Sequence, residues 1–327
     1  MKEKILQELK QSQGKYVSGG KLARALKVSR TAIWKQIKSL KKMGYEIEAK
    51  PKKGYRLLKS PDLITPEEIK IGLKTAIIGR ELSYFQSVSS TNDVAKELAE
   101  KGASEGLVVL AESQSMGRGR LGRTWASPPG GIWLSVILRP EILPSNAHLL
   151  AIAAGVGAAN AINKLGLHAK LKWPNDVMIR DKKVCGILLE LAAEVEAVDY
   201  AILGIGINAN NDLPMEIQKI ATTLKKELGN VIERAKFVQE LLLELEEKYF
   251  LFKRDPSLIL NRWRALSSIL GEKVQIKTQN ENFTGIARDI ASNGSLLVEL
   301  EDGSIKQVIA GDCLNLRSAL ENSFSPC

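Results

Sequence analysis

The chain has 327 residues, 44% of them hydrophobic, and a formal net charge of +10. This length and composition predict a folded protein of two or three domains. The longest apolar stretch, residues 149–159, falls well short of the roughly 20 residues that cross a bilayer, and the amphipathic N-terminus has no secretory h-region. We therefore expect a cytoplasmic protein rather than a membrane or secreted one.

Cysteine and histidine do not show the spacing of a metal or redox centre. The three cysteines, Cys185, Cys313 and Cys327, lie far apart, and we interpret them as structural thiols. The two histidines, His148 and His168, have no partner ligands at a spacing suited to a metal site or a catalytic triad. We expect catalysis to come from arginine, lysine, aspartate and backbone groups instead.

Positive charge is concentrated at the N-terminus. Residues 1–60 contain 17 lysines and arginines against 4 acidic residues, so the other 267 residues contain 30 against 33 and are nearly neutral. A basic block joined to a neutral remainder predicts a separate module that binds a polyanion, in the simplest case nucleic acid.

The same block has the pattern of a helix-turn-helix. Two short helices are predicted first, the second capped by Ser18, and Ser29 can cap a third helix whose apolar positions Ile33, Ile37 and Leu40 repeat at helical spacing. Alternating residues at 45–49 and 55–58 predict a β-hairpin wing. The predicted DNA contacts are Ser29, Arg30, Thr31, Trp34, Lys35, Lys38, Lys52 and Lys53. The alternative is a small helical domain that binds protein.

After a linker at residues 61–66, strand and helix patterns alternate and predict a mixed α/β domain. Strands are expected at 83–88, 106–111 and 131–138, with a helix at 92–101 that Ser90 or Thr91 can cap. A second helix, at 147–165, contains many small residues and is expected to pack in the core.

The most informative segment is residues 117–125, Gly-Arg-Gly-Arg-Leu-Gly-Arg-Thr-Trp. Its glycines allow the backbone to approach a ligand closely, and its arginines supply forked donors for phosphate or carboxylate oxygens. It lacks the Gly-Lys-Ser/Thr ending of a P-loop and the strand-to-helix setting of a dinucleotide fingerprint. We interpret it as an anion-binding loop, expected to be mobile until an anion orders it.

A second motif, Lys172-Trp173-Pro174-Asn175-Asp176, precedes Lys183 and an apolar strand at 184–189. Lysine and carboxylate at this spacing suit nucleotidyl transfer, which needs charge neutralisation and in-line positioning rather than a protein nucleophile. The alternative is a purely structural turn, in which Pro174 fixes φ.

These two motifs, with Lys-Lys-Val-Cys-Gly-Ile-Leu-Leu-Glu at 182–190 and Gly-Ile-Gly-Ile-Asn at 204–208, resemble those of biotin protein ligase. Their order, the Ser-Thr-Asn element at 90–92 and the N-terminal module resemble the bifunctional class, which also represses biotin synthesis genes. The resemblance implies an α+β fold: a winged helix-turn-helix domain (1–60), a linker (61–66), a mixed α/β catalytic domain of the biotin/lipoate ligase type (67–268) and a C-terminal SH3-like β-barrel (269–320).

The resemblance also implies a two-step reaction. The biotin carboxylate attacks the α-phosphate of ATP, with Mg²⁺ as the metal, and a lysine of a biotin carboxyl carrier protein then attacks the biotinyl-5′-AMP. The implied catalytic residues are Lys183, Arg118, Arg120 and Asp176. Implied biotin contacts are Ser90, Thr91, Asn92, Gln114, Gly117, Arg118, Gly119, Arg120, Lys183 and Gly186. Implied ATP or adenylate contacts are Arg118, Arg120, Arg123, Trp125, Lys172, Asn175, Lys183 and Asn208.

A ligand-ordered loop and a DNA-binding domain in one chain suggest a regulatory hypothesis. Bound adenylate would favour a homodimer that presents two winged domains to a two-fold operator DNA. One departure from the family is Leu121, where some members have a further arginine. Three rival interpretations are a lipoate-attaching ligase, a repressor that binds biotin without ligating it, and a regulator that only binds DNA.

Overall fold

The computed structural model describes residues 1–316, so Cys327, the tail at 322–327 and the predicted end of the last domain at 320 lie outside the described residues. Two compact units are present. The first contains Met1–Leu73 and Glu233–Gln239, and the second contains Lys74–Ile232 and the residues from Glu240 onward. The predicted domain boundaries at residues 60, 66 and 268 stay a prediction.

The first unit begins with three helices, which lie where capping and periodicity predict them: α1 (Lys2–Gln11), α2 (Gly19–Ala25) and α3 (Arg30–Lys42). The Ser18 hydroxyl accepts from the backbone N–H of Lys21, and the Ser29 hydroxyl accepts from that of Ala32. One side of each helix is apolar, and these sides pack together around Ile5, Leu6, Leu9, Leu22, Ile33, Ile37 and Leu40. Burial of this shared face stabilises helices that would be marginal alone.

A β-hairpin follows, made of β1 (Glu46–Lys50) and β2 (Gly54–Lys59) paired antiparallel. Glu48 on β1 accepts from the Tyr16 hydroxyl at 2.5 Å and from Arg56 Nη2 at 2.6 Å. Hydrogen bonds from Tyr16, Lys50 and Arg56 hold the pKa of Glu48 at about 2. A backbone bridge between Val17 and Tyr55 also joins the hairpin to the segment before α2, so the predicted wing is attached to the helical core.

Helix α4 (Pro66–Lys70) also belongs to the first unit. Its buried Glu68 accepts from the Tyr45 hydroxyl at 2.5 Å and pairs with Lys10. This hydrogen bond and burial raise the pKa of Tyr45, burial being the larger cause. Residues from 67 onward are predicted to belong to the catalytic domain, whereas these contacts join α4 to α1 and to the segment before β1.

The second unit is built on a seven-stranded sheet in the order β3-β4-β5-β9-β8-β7-β6. Only the β3–β4 pair is parallel. All seven residues of β5 are buried, which explains its continuous apolar sequence. The strands are β3 (Leu82–Phe85), β4 (Val108–Ala111), β5 (Ile132–Leu138), β6 (Ala169–Lys172), β7 (Asp176–Ile179), β8 (Lys182–Ala193) and β9 (Val198–Ile207).

The helices that follow β3 along the chain are α5 (Thr91–Glu100), α6 (His148–Asn163), α7 (Leu224–Leu228), α8 (Arg234–Arg254) and α9 (Pro256–Leu266). By length and composition alone, the segment Pro144–Asn163 could cross a membrane, but 72% of its most apolar window is buried inside the protein. Together with the predominance of alanine, leucine and isoleucine in α6, this burial identifies it as a core helix, as predicted.

The C-terminal strands form a five-stranded antiparallel sheet in the order β13-β12-β11-β10-β14. They are β10 (Lys273–Lys277), β11 (Asn282–Ile290), β12 (Leu296–Glu299), β13 (Ile305–Val308) and β14 (Asp312–Asn315). Gly294 and Gly303 lie in turns of this sheet and both have positive φ, which glycine adopts without strain. The α+β fold class is confirmed, whereas closure of the last sheet into a barrel stays a prediction.

One buried carboxylate has a large predicted effect on stability. Glu246 of α8 accepts from the backbone N–H groups of Ala76, Ile77 and Ile78 at 2.6, 2.6 and 2.8 Å, and its side chain is 5% exposed. Removing the carboxylate leaves these three backbone N–H groups without their acceptor. Glu246→Ala is therefore expected to lower the free energy of unfolding by about 3 kcal/mol in urea denaturation.

Glu247 provides the matched control, since it is the next residue on the same helix, contacts Lys248 and is 55% exposed. Glu247→Ala is expected to change the free energy of unfolding by no more than about 0.5 kcal/mol. Equal effects of the two substitutions would show that the three backbone donors do not depend on Glu246.

Candidate active site and nucleic-acid interface

A hydrogen-bonded cluster of uncharged polar side chains, which we call the uncharged pocket, lies at the start of α5. Ser90 caps the helix, and the backbone N–H and hydroxyl of Thr91 lie 2.8 and 3.1 Å from Gln114 Oε1. Gln114 Nε2 donates to Ser127 Oγ at 2.8 Å. Ser90 and Thr91 are each 3% exposed. The structure thus brings together the predicted biotin contacts Ser90, Thr91 and Gln114, with Ser127 added.

Asn92, a further predicted biotin contact, is held by groups that sequence analysis did not identify. Its Nδ2 donates to Glu190 Oε2 at 2.5 Å, and its Oδ1 accepts from Ser135 at 2.6 Å. A Cβ at Gly204 would lie 2.2 Å from Asn92 Oδ1, so only glycine fits beneath this side chain. Glu190 and Gly204 belong to the motifs at 182–190 and 204–208, but those motifs gave no sign of this contact.

The glycine-arginine loop folds as a tight hairpin rather than an extended chain. Gly119 N donates to Arg123 O at 2.7 Å, and Trp125 N donates to Gly117 O at 2.8 Å. Gly117 is sterically required, because a Cβ there would lie 2.5 Å from Ser127 Oγ and from Trp125 O. Leu121 has φ +56° and is 63% exposed, so the departure from the family lies at the loop tip.

Each arginine of the loop has a partner within the protein. Arg118 Nη2 donates to Asp93 Oδ1 at 2.5 Å and to Glu190 Oε1 at 3.1 Å, and the Asp93 hydrogen bond raises the pKa of Arg118. Mutual repulsion of the cations is thereby offset. Both contacts use Nη2, so an anionic ligand that binds this nitrogen must compete with the two carboxylates.

Arg120 and Arg123 contact the C-terminal sheet region. Arg120 Nη1 lies 3.3 Å from Gly311 O and 3.5 Å from Asn175 Oδ1, and burial lowers its pKa. Arg123 Nη1 donates to Asp312 Oδ1 at 3.1 Å, while its Nη2 pairs with the other carboxylate oxygen. The Arg123 guanidinium lowers the pKa of Asp312. These C-terminal partners are also absent from the sequence prediction.

A flat floor of glycines lies beneath Trp125. Gly186 of β8 pairs with Gly206 of β9. A Cβ at Gly186 would lie 2.9 Å from the indole, and a Cβ at Gly206 would lie 2.5 Å from its Nε1. Lys183 Nζ lies 4.9 Å from the centre of the Trp125 ring, within cation–π distance. The predicted contacts Trp125, Lys183 and Gly186 therefore lie side by side.

The predicted phosphate-facing cation and carboxylate form an ion pair. Lys183 Nζ lies 2.6 Å from Asp176 Oδ1, and both side chains are only about a quarter exposed, at 29% and 24%. Asp176 begins β7, directly after a turn with a cis peptide bond between Trp173 and Pro174. The turn is held by Trp173 Nε1, which donates to Gly294 O at 3.1 Å.

Three predicted nucleotide contacts occupy different positions. The backbone of Lys172 lies opposite that of Asp176 in the antiparallel register of β6 and β7. The Asn175 side-chain amide donates to Ile187 O. Asn208 is 3% exposed, and its Oδ1 accepts from Asn211 Nδ2 at 3.3 Å. The structure brings Lys172 and Asn175 to the turn beside Asp176, whereas Asn208 is enclosed by its own neighbours. All of these assignments stay predictions.

Two of the three cysteines lie in the part of the chain that the structure describes, and both thiols are enclosed. Cys185 and Cys313 are buried and free, and burial raises the pKa of both, for Cys313 to about 12. Within residues 1–316, no group of three or more histidines, cysteines, aspartates or glutamates is placed to hold a metal ion.

In the first unit, α3 presents one basic face to solvent. Arg30, Thr31, Trp34, Lys35 and Lys38 are exposed, and Trp34 is 52% exposed with Lys38 Nζ 5.3 Å from its ring centre. The wing adds the exposed Lys52 and Lys53, and Ser29 lies at the N-terminus of α3. A basic, exposed helix of this kind can enter a major groove.

Lys38 tests this interface through salt dependence. Because each phosphate contact releases a condensed counterion, Lys38→Gln is expected to weaken binding of double-stranded DNA and to reduce the magnitude of the negative slope of log K against log salt by about 0.9. Lys4→Gln removes the same charge from an exposed position on α1 and is expected to leave the slope unchanged. Equal slopes for Lys38→Gln and the unmodified chain in a salt titration would contradict the prediction.

Family models match three parts of the chain. The biotin/lipoate A/B protein ligase family model matches residues 84–208, an HTH domain model matches residues 2–56, and the biotin protein ligase C terminal domain model matches residues 269–314. Their order is the order of the predicted domains.

Full-length relatives are also similar. The bifunctional ligase/repressor BirA of Bacillus subtilis (strain 168) is 40% identical over 320 residues, which span 95% of this chain and 98% of the relative. BirA of Escherichia coli (strain K12) is 32% identical over 310 residues and 94% of each chain. A solved biotin protein ligase from Aquifex aeolicus in complex with biotin and ATP has a TM-score of 0.64 at 32% identity, covering 72% of this chain and 98% of that chain.

Proposed function

Since the chain belongs to the biotin protein ligase family, in its bifunctional ligase/repressor class, we propose that it is an ATP-dependent biotin protein ligase and a transcriptional repressor. One observation carries the enzymatic part. The uncharged pocket (Ser90, Thr91, Gln114) is joined by hydrogen bonds through Ser127 to Trp125, at the end of the loop that carries the three arginines, and Trp125 lies beside the Lys183–Asp176 pair. Neutral hydrogen-bonding groups suit the ureido ring of biotin, and the cations suit its carboxylate and the phosphates of ATP.

In the first step, a carboxylate oxygen of biotin forms a bond to the α-phosphorus, and the bond from that phosphorus to the bridging oxygen of pyrophosphate breaks. Lys183 is the phosphate-facing cation, and Asp176, 2.6 Å away, orients its ammonium group. Arg118 and Arg120 neutralise the carboxylate and phosphate oxygens of the bound substrates. Trp125 packs on the adenylate over the glycine floor.

In the second step, the amine of an acceptor lysine attacks the carbonyl carbon of the mixed anhydride, AMP leaves with the electrons of the broken carbon–oxygen bond, and the attacking nitrogen loses a proton to become the amide. The acceptor is a biotin carboxyl carrier domain. Asp176 lies at the start of β7 beside Lys183 and is the carboxylate we place near the incoming amine. Magnesium enters as MgATP, bound by the phosphates of the substrate, which shields charge on the leaving group.

The repressor part rests on the basic face of α3 and the wing. We place the protein in the cytoplasm, where it binds operator DNA as a homodimer that biotinyl-5′-AMP promotes. A two-fold arrangement of winged domains matches a two-fold operator.

Adenylate formation tests the enzymatic proposal. The purified chain is incubated with MgATP labelled at the α-phosphate and either biotin or lipoate, and labelled acyl-adenylate retained on the protein is measured. Adenylate with biotin alone supports the proposal, and transfer to a carrier domain supports the second step. Adenylate with lipoate alone would reassign the substrate, and no adenylate with either would leave a repressor that only binds its ligand.

A further inference from the structure

A chain of hydrogen bonds joins the two ends of the loop at 117–125 through the uncharged pocket. At the C-terminal end of the loop, Ser127 Oγ donates to Trp125 O at 3.0 Å and accepts from Gln114. Gln114 accepts from Thr91, whose Oγ1 lies 2.8 Å from Ser135 Oγ. These contacts lead from the loop into the pocket that we assign to the head of biotin.

The second half of this series of hydrogen bonds returns to the loop through Glu190. A carboxylate can only accept, so Asn92 must turn its Nδ2 toward Glu190 and its Oδ1 toward Ser135. Glu190 also accepts from Arg118 Nη2, at 3.1 and 3.4 Å from its two oxygens. One carboxylate therefore holds both a pocket residue that is 4% exposed and the first arginine of the loop.

We propose that Glu190 is a positioning residue that couples occupation of the uncharged pocket to closure of the loop at 117–125. A ligand that hydrogen-bonds in the pocket immobilises Asn92, which fixes Glu190, which fixes Arg118 at the start of the loop. The loop then loses part of its conformational entropy before an anion binds, so the anion has less ordering of the loop to bring about. This inference rests on the proposed function, because it takes biotin as the occupant of the pocket.

Glu190→Gln tests the coupling with little change in shape. Glutamine has one acceptor oxygen, so when that oxygen faces Asn92 its amide group faces the donors of Arg118, and the reverse orientation loses Asn92. Amide hydrogen exchange of the 117–125 segment is measured in the full chain with and without saturating biotin, in the absence of ATP. In the unmodified chain biotin is expected to slow exchange of this segment about tenfold, and in Glu190→Gln less than twofold.

Asp93→Asn is the matched control, because Asp93 contacts Arg118 at 2.5 Å and no contact joins it to Asn92 among the hydrogen bonds of residues 1–316. This variant is expected to exchange faster in both states and to keep the slowing caused by biotin. If Glu190→Gln fails to fold by circular dichroism, Ser135→Ala breaks the same connection at the other side of Asn92 and is expected to lose the slowing.

Three outcomes overturn the coupling: no slowing by biotin in the unmodified chain, full slowing in Glu190→Gln, or equal loss in Glu190→Gln and Asp93→Asn. Failure of the proposed function is recognised separately, because the unmodified chain would then form no biotinyl-5′-AMP from biotin and MgATP. A chain that forms the adenylate while Glu190→Gln keeps the full slowing would refute the coupling alone.

Discussion

Replacing Lys183 with methionine is expected to slow formation of biotinyl-5′-AMP by about 100- to 1,000-fold. Lys183 is held 2.6 Å from Asp176 and 4.9 Å from the Trp125 ring centre, so its ammonium group is fixed before the reaction begins. A fixed cation stabilises the charge that develops on the phosphate oxygens without reorganising in the transition state. Methionine keeps much of the side-chain length but supplies no charge and no donor.

The measurement is the single-turnover rate of pyrophosphate release with biotin and MgATP. Lys182 gives the matched control, because it is the preceding residue on β8 and its Nζ donates to Gln218 O at 2.9 Å instead of entering the site. Lys182→Met is expected to leave the rate nearly unchanged. Similar rates for the two methionine variants would remove Lys183 from the chemical step and leave the Lys183–Asp176 pair as a structural feature.

Local signals account for what the sequence predicts well. Ser18 and Ser29 precede runs whose apolar residues repeat every three or four positions, and both serines cap helices in the structure. The loop at 117–125 was identifiable because glycine and arginine alternate over a few neighbouring residues. Such patterns depend on backbone geometry within one or two turns, so the sequence contains them directly.

The partners of the loop could not be predicted in the same way. Arg118 and Glu190 are 72 positions apart, and Arg123 and Asp312 are 189 apart. Which residues meet at such separations depends on strand order and register, and a shift of one residue would move Glu190 to the other face of β8. The pairing of Gly186 with Gly206, which makes the floor beneath Trp125, likewise appears only once the β8–β9 register is known.

Burial also separates residues that look alike in sequence. Asn175 and Asn208 belong to the motifs at 172–176 and 204–208, and both are predicted to contact the nucleotide, yet Asn208 is 3% exposed and accepts from Asn211. A side-chain amide in a loop can satisfy its own backbone or a ligand, and sequence does not distinguish the two. Both assignments stay predictions.

Biotin and MgATP together are expected to tighten the binding of operator DNA by about 5- to 150-fold, the usual range of coupling between two sites on one protein. The physical reason is linkage: if the adenylate promotes a homodimer, two basic winged domains bind one DNA, and the second binds at high effective concentration. The measurement is fluorescence anisotropy of DNA from upstream of the biotin synthesis genes in the genome that encodes this chain.

Comparing ligands shows which species acts as corepressor. Biotin with α,β-methylene-ATP, which cannot release pyrophosphate, is expected to leave the affinity unchanged, whereas purified biotinyl-5′-AMP should tighten it as biotin and MgATP do. Lys183→Met should lose the response to biotin and MgATP but keep a response to the preformed adenylate, because its defect lies in making that compound. If the dissociation constant of the unmodified chain is the same with and without biotin and MgATP, the ligase and the DNA-binding domain share a chain without being coupled through this ligand.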